Sequence, residues 1–190
     1  MRNGAGEARL KFIKPLEPVL VLEPPVSDDW LHEIKFDGFR VQLILDWAGA
    51  RAFTKNGHDW SKRFWPVIGA AEKLPAKSFI LDGKMIAPDP DGRPNFHQMH
   101  SRMAWNAELL AFVAFDILHL DGWDLRSLPA IERKAMLWDL VKPADGIINI
   151  ANTSKVVAPS SMQPSTRWDW RAWCRSDAAA RTPAVRPTFG

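Results

Sequence analysis

Apolar and polar positions alternate most clearly from residue 39 onward. Phe39, Val41, Leu43 and Leu45 take one side of an extended chain while Arg40, Gln42 and Asp46 take the other, which predicts a strand. Residues 30–34 form an apolar run ahead of it, and Asp37-Gly38 between the two predicts a hairpin bend. Residues 51–55 read as a third strand closed by Asn56-Gly57. Residues 66–74 open on proline and repeat Val67, Ile68, Ala71 and Leu74 at helical spacing. Residues 79–87 are apolar around Asp82-Gly83-Lys84, and residues 88–95 form a proline-bounded turn around Asp91-Gly92. Residues 96–105 predict a helix with Phe96, Met99, His100 and Met103 on one face. Residues 110–122, the most apolar run, predict a buried strand ending at Asp121-Gly122. Pro129 then opens a helix whose buried stripe is Ile131, Ala135, Trp138 and Val141, and residues 147–150 predict a last strand.

The two ends behave differently. Residues 11–25 are apolar but spaced by Pro15, Pro18, Pro24 and Pro25, which suits an extended segment laid across the domain. Beyond about residue 152 the chain shows neither period, with Trp168, Trp170 and Trp173 scattered before an Ala/Arg/Pro end. The expected division is a disordered 1–10, a folded 11–152 and an irregular 153–190. Five Asp-Gly dipeptides suit an antiparallel, hairpin-rich fold, so the predicted class is α+β, with two antiparallel sheets flanked by helices.

Composition narrows the class without naming an activity. The chain has 190 residues, 46% hydrophobic and 25% charged, which suits one soluble globular domain. No apolar run approaches the roughly 20 residues of a membrane span, and residues 1–10 lack a signal-peptide core, so the expected location is the cytoplasm. The single Cys174 excludes an internal disulfide and a cysteine-based zinc cluster. His97 and His100 are spaced for a metal pair, but no third ligand is nearby. Residues 1–150 hold 19 Lys and Arg against 20 Asp and Glu, whereas residues 151–190 hold 6 against 2. The basic pI of 9.2 therefore comes from the tail and is no footprint of nucleic acid on the body.

Candidate chemistry concentrates at Lys35-Phe36-Asp37-Gly38-Phe39-Arg40. Lysine is the one long cation whose pKa drops readily on desolvation, so it can supply an amine nucleophile, with a carboxylate and a guanidinium close by. The same residues also read as a surface lysine beside a turn, just as Phe115 reads as ordinary core.

Trp30-Leu31-His32-Glu33-Ile34-Lys35-Phe36-Asp37-Gly38-Phe39-Arg40 resembles motif I of the covalent nucleotidyltransferases, and most closely the bacterial ATP-dependent DNA ligases of the end-joining type. The resemblance implies an adenylation domain, incomplete at its C-terminus, in which Lys35 attacks the α-phosphate of ATP. Glu33 would lie beside the adenine and Arg40 beside the ribose. Residues 55–64 are similar to a family stretch that begins with a phosphate-contacting arginine. Here Lys55 stands in its place, keeping the charge but losing the bidentate fork. Residues 79–87 resemble motif III, usually D-G-E, so Asp82 would belong to the nucleotide site. Lys84 stands where the family has the glutamate near ribose and metal, and no metal ligand is assigned with certainty. A cation there opposes Mg²⁺: two unit charges about 4 Å apart interact by on the order of 4 kcal/mol at an effective dielectric of 20. Residues 110–122 resemble motif IIIa, which makes Phe115 the adenine-stacking ring. Glu132 and Lys134 read as solvated helix charges.

In the family the reaction uses ATP and Mg²⁺, with Mn²⁺ as a substitute. It passes AMP from the lysine to the 5′-phosphate of nicked or broken double-stranded DNA and seals the nick in repair and recombination. Motifs IV and V and the oligonucleotide-binding domain are not readable in this chain, so impaired activity is expected. The alternative is a non-catalytic nucleotide-binding remnant.

Codon arithmetic offers an origin for the tail. Reading each new codon from the last base of one old codon and the first two of the next, Trp168 into Asp169 forces glycine, Asp169 into Trp170 leucine, and Trp173 into Cys174 valine. With permitted choices elsewhere the string becomes M-G-L-E-G-M-V-S-K-R, a motif IV. The expected finding is a small insertion or deletion in the encoding DNA between codons of about residues 150 and 167. Sequencing that finds no ligase-like continuation in another frame removes the idea.

Overall fold

The structure is a computed structural model that describes residues 8–20, 22, 30–90, 92–142, 146–151, 153–154 and 173–176. The predicted α+β class holds. Strands β1 (Trp30–Glu33), β2 (Phe39–Asp46), β3 (Gly49–Thr54), β4 (Phe79–Ile86), β5 (Ala111–Leu120), β6 (Trp123–Asp124), β7 (Ile148–Ile150), β8 (Thr153–Ser154) and β9 (Trp173–Ser176) form two sheets. The larger runs β3-β2-β4-β5-β6, all antiparallel, with β7 joining the outer edge of β5 in parallel. The smaller runs β8-β1-β9, also antiparallel. Helices α1 (Trp65–Ala71), α2 (Met99–Trp105) and α3 (Ala130–Val141), with three short 3-10 turns, complete the described elements. None of them is long and apolar enough to cross a membrane.

The two faces of the large sheet have different jobs. Val41, Leu43, Leu45, Leu81, Met85, Phe112, Ala114 and Ile117 point to the main core, where Val67 and Ala71 of α1 and Leu137, Leu140 and Val141 of α3 cover them. On the opposite face Ile44, Ile80 and Leu118 pack under Leu10 and Ile13 of the N-terminal segment. That segment is extended across the sheet, as its prolines predict. Gln42 holds it as a surrogate strand would, accepting from Ile13 N–H at 2.9 Å and donating to the Ile13 carbonyl at 2.6 Å. Asp46 accepts from Leu10 N–H at 3.2 Å and from Arg51 at 2.6 Å, so Leu10 is bound to the body. Burial opposes ionisation of Asp46, but the Ala48 N–H and the guanidinium groups of Arg51 and Arg9 outweigh it and hold the carboxyl below its ordinary value.

Several expectations change. Asp37-Gly38 is not a hairpin bend: β1 and β2 lie in different sheets and do not pair. The bend after β2 is at Trp47-Ala48, with Gly49 at φ 102°. Asp82-Gly83 is no turn either, lying inside β4. Among the Asp-Gly pairs, Asp121-Gly122 makes the tight turn into β6, at φ 44° and 93°. The stripe predicted for α3 is displaced: Ile131 is 40% and Trp138 52% exposed, while Arg133 is buried with Leu137 and Leu140. Arg133 makes a bidentate pair with Asp116, at 2.9 and 3.1 Å, and so supplies the partner that an acid within an apolar strand needs. The tail, expected to be irregular, contributes β8 and β9 to the small sheet. Pro24, Pro25, Asp91, Trp168, Trp170 and the Ala/Arg/Pro end lie outside the described residues.

Gly38 and Gly83 are required by packing. A Cβ on Gly38 would stand 2.1 Å from the Met85 carbonyl oxygen, and one on Gly83 would meet the Phe112 ring at 2.4 Å and the Val113 carbonyl at 2.6 Å. Gly69 of α1 has nothing within 4 Å of its Cβ position. Gly83→Ala is therefore expected to destabilise by about 1–3 kcal/mol, whereas Gly69→Ala stabilises by up to ~1 kcal/mol. Thermal melts of both variants check this opposition, and a Gly83→Ala protein melting with the parent would contradict the packing.

Candidate nucleotide site

The site lies where the N-terminal segment stops covering the large sheet. In the pairing of β2 with β4, Arg40 stands opposite Lys84 and Gln42 opposite Asp82, so Arg40, Asp82 and Lys84 share the face away from the main core. Phe115 of β5 is on the same face, packed with Ile86, Val113 and Phe36. The chain between β1 and β2 passes beside this corner and brings Lys35 with it. A cavity of about 370 Å³ opens there, within the size range of small-molecule sites. Glu33, Lys35, Arg40, Lys55, Lys84 and Phe115 line it, together with Glu17 and Pro18 of the N-terminal segment.

Five of the six residues expected at the site therefore meet at one cavity. Lys35 is exposed at its edge, on the irregular stretch after β1. Lys55 is likewise exposed, just beyond β3. Phe115 is buried at 6% exposure, with the Arg40 guanidinium carbon 5.5 Å from its ring centroid. Asp82, the sixth, is not in the cavity lining. It is 2% exposed and sits behind Arg40, accepting from Nε at 3.1 Å and Nη2 at 2.8 Å. Arg40 also donates through Nη1 to the Leu16 carbonyl at 2.7 Å, which ties the N-terminal segment to the site.

Two features escape sequence reading. Lys134 is no solvated helix charge: its ammonium is hydrogen-bonded to Glu33 Oε1, across a separation of 101 residues that no local pattern reveals. Glu17 and Pro18 also line the cavity, next to Leu16, whose carbonyl Arg40 holds.

Lys84 lies partly buried on the cavity wall and donates to the Gly38 carbonyl at 3.1 Å. Burial lowers its pKa from the ordinary 10.5, and the cations of Lys35 and Arg40 push it the same way, against weaker opposition from Asp37 and Asp82. Of the carboxylates at this corner, Glu33 is paired with Lys134 and Asp82 with Arg40. Among the described residues no group of three or more His, Cys, Asp or Glu side chains can hold a metal ion. The donor set at this corner, with an ammonium in the acid's place, does not fit a divalent cation.

A fold of two antiparallel sheets with a lysine-lined cavity between motif strands is that of a nucleotidyltransferase adenylation domain, and known proteins bear out the assignment. A family profile described as the ATP dependent DNA ligase domain matches residues 19–168, and this chain belongs to that family. Among curated relatives it is 31% identical over 145 residues to the multifunctional non-homologous end joining protein LigD of Pseudomonas aeruginosa, covering 76% of this chain and 17% of that protein. It is 35% identical over 152 residues to a probable DNA ligase of Nocardioides sp., covering 74% of this chain and 30% of that protein. The chain thus spans less than a third of the length of either relative. Among solved structures, the ligase domain of LigD from M. tuberculosis superposes with a TM-score of 0.59 at 26% identity, over 67% of this chain and 41% of that one. A mycobacterial DNA ligase D, solved with ATP and MES, shares the fold with a TM-score of 0.56 at 22% identity, over 77% and 46%.

The lowered pKa of Lys84 has a consequence for stability. The unfolded chain keeps this proton up to 10.5 and the folded chain releases it earlier, so stability is greatest above that value and falls as the pH drops through the lowered one. Lys84→Met, which removes the charge and keeps the apolar stem, is expected to melt higher than the parent at neutral pH. The gap should close as the pH approaches 10.5, and coincident melts at neutral pH would show that the ammonium is accommodated without cost.

Proposed function

We propose that this chain is the adenylation module of an ATP-dependent DNA ligase, with Lys35 as the residue that carries AMP. The observation behind this is the convergence of Lys35, Glu33, Arg40 and Phe115 on one cavity in a chain of the ligase family. In the reaction the neutral Lys35 amine attacks the α-phosphorus of ATP. A nitrogen–phosphorus bond forms, the bond to the bridging oxygen breaks, pyrophosphate departs and the ammonium proton passes to solvent. AMP next moves to the 5′-phosphate at a break in double-stranded DNA, and attack by the 3′-hydroxyl seals the strand and releases AMP. End joining, named for the Pseudomonas relative, is the pathway in which such sealing would serve.

The other residues take supporting parts. Glu33, held by Lys134, faces the adenine, and Phe115 offers it an apolar wall. Arg40, aimed by Asp82, serves the ribose, and Lys55 attracts the phosphates as a point charge. The donor set at this corner does not fit a divalent cation. Lys84 weakens the metal-assisted reaction and so favours a second reading, a module that binds nucleotide without turning it over. With under a third of either relative's length, the chain by itself is expected to seal nicks poorly or not at all.

Intact-mass measurement after incubation with ATP and Mg²⁺ or Mn²⁺ separates the readings. A gain of one AMP that disappears in Lys35→Ala supports the enzyme, and a parent that never gains it leaves the binding module. Lys84→Glu should label more than the parent. Equal labelling removes the role given to Lys84.

A further inference from the structure

The pairing of β2 with β4 sets Lys84 directly across from Arg40, and like charges directly opposite on neighbouring strands are destabilising. Arg40 is relieved by its bidentate bond to Asp82. Lys84 is relieved only in part: the Gly38 carbonyl takes one of the three protons of its ammonium. Lys35 and Lys55 add two further ammonium groups to the same cavity. Among the described residues, none of these three lysines forms an ion pair, whereas the neighbouring carboxylates Glu33 and Asp82 are engaged by Lys134 and Arg40. Glu17 lines the cavity from the N-terminal segment but pairs with none of them. The cavity thus gathers three ammonium groups, that of Lys84 on a partly desolvated wall and those of Lys35 and Lys55 exposed, and a multiply charged anion is the ligand that such a cluster attracts most strongly.

We infer that this cavity takes the polyphosphate of a nucleotide as the metal-free anion, with Lys84 providing the neutralisation that a divalent cation would otherwise bring. This presupposes that the cavity is a nucleotide site. An ammonium at Lys84 and a dication compete for the same phosphate oxygens, so magnesium complexation should weaken binding or leave it unchanged. The anion also restores the proton affinity that burial and the neighbouring cations take from Lys84, so metal-free binding should draw in protons at alkaline pH.

Calorimetric titration of the whole chain with ATP, once in excess EDTA and once in excess Mg²⁺, tests the inference. The parent is expected to bind at least as tightly in EDTA. Lys84→Met should lose about tenfold of the metal-free affinity, ~1.4 kcal/mol, and Lys84→Glu should lose more and regain binding in Mg²⁺. Because Lys84→Met removes a charge that opposes folding, it tests the site in a folded protein. Repeating the EDTA titration at alkaline pH in buffers of different ionisation enthalpy should reveal proton uptake that Lys84→Met lacks. A parent that binds ATP only with Mg²⁺, or a Lys84→Met protein with the parent's metal-free affinity, overturns the inference and leaves the nucleotide site standing. Absence of ATP binding under both conditions overturns the nucleotide site as well.

Discussion

The bidentate bond between Arg40 and Asp82 is the contact on which the cavity depends. It joins the two central strands on the face away from the core, with both side chains withdrawn from water at 11% and 3% exposure. Breaking such a buried pair by removing one partner typically costs about 3–5 kcal/mol, because the remaining charge stays buried without compensation. Its influence extends beyond the pair. The same guanidinium holds the Leu16 carbonyl, so the N-terminal segment is tied to the cavity, and it lies against Phe115, which forms the apolar wall. Asp82 thus acts on the site through Arg40.

Two more ion pairs repeat this logic at the edges. Asp116 and Arg133 fasten α3 to β5 through an apolar interior, and Glu33 and Lys134 fasten the same helix to β1 in the other sheet. Consecutive residues of α3, Arg133 and Lys134, therefore reach different sheets. This explains why the helix turns Ile131 and Trp138 outward although both are large and apolar: its orientation serves two buried acids as well as the core. It also takes Glu33 out of reach of the cavity's ammonium groups, because Lys134 already engages it. Lys84 is among those groups, and that separates this chain from a site built around a divalent cation.

The strand alternation, the apolar helices, the extended proline-spaced segment and the cluster of candidate residues were all legible in the sequence, because a period of two or 3.6 and a proline's missing N–H act locally. Lys35, Glu33, Arg40, Lys55 and Phe115 could be named from their motifs alone, but that they line one cavity was not legible there. Asp37-Gly38 misled as a hairpin bend because the dipeptide, like Asp82-Gly83 within its strand, says only that the backbone must be free of a side chain. A bend and a close approach of strands both demand this, and only the packed neighbours, the Met85 carbonyl and the Phe112 ring, show which applies.

What the sequence determined by itself was the family, the kinds of element and the roster of chemical groups. Tertiary structure alone decided the partnerships: Lys134 with Glu33, Arg133 with Asp116, Arg40 with Asp82, and Lys84 across from Arg40. The physical reason is that an ion's behaviour depends on what lies within a few ångströms of it, and those neighbours come from chain segments many residues away.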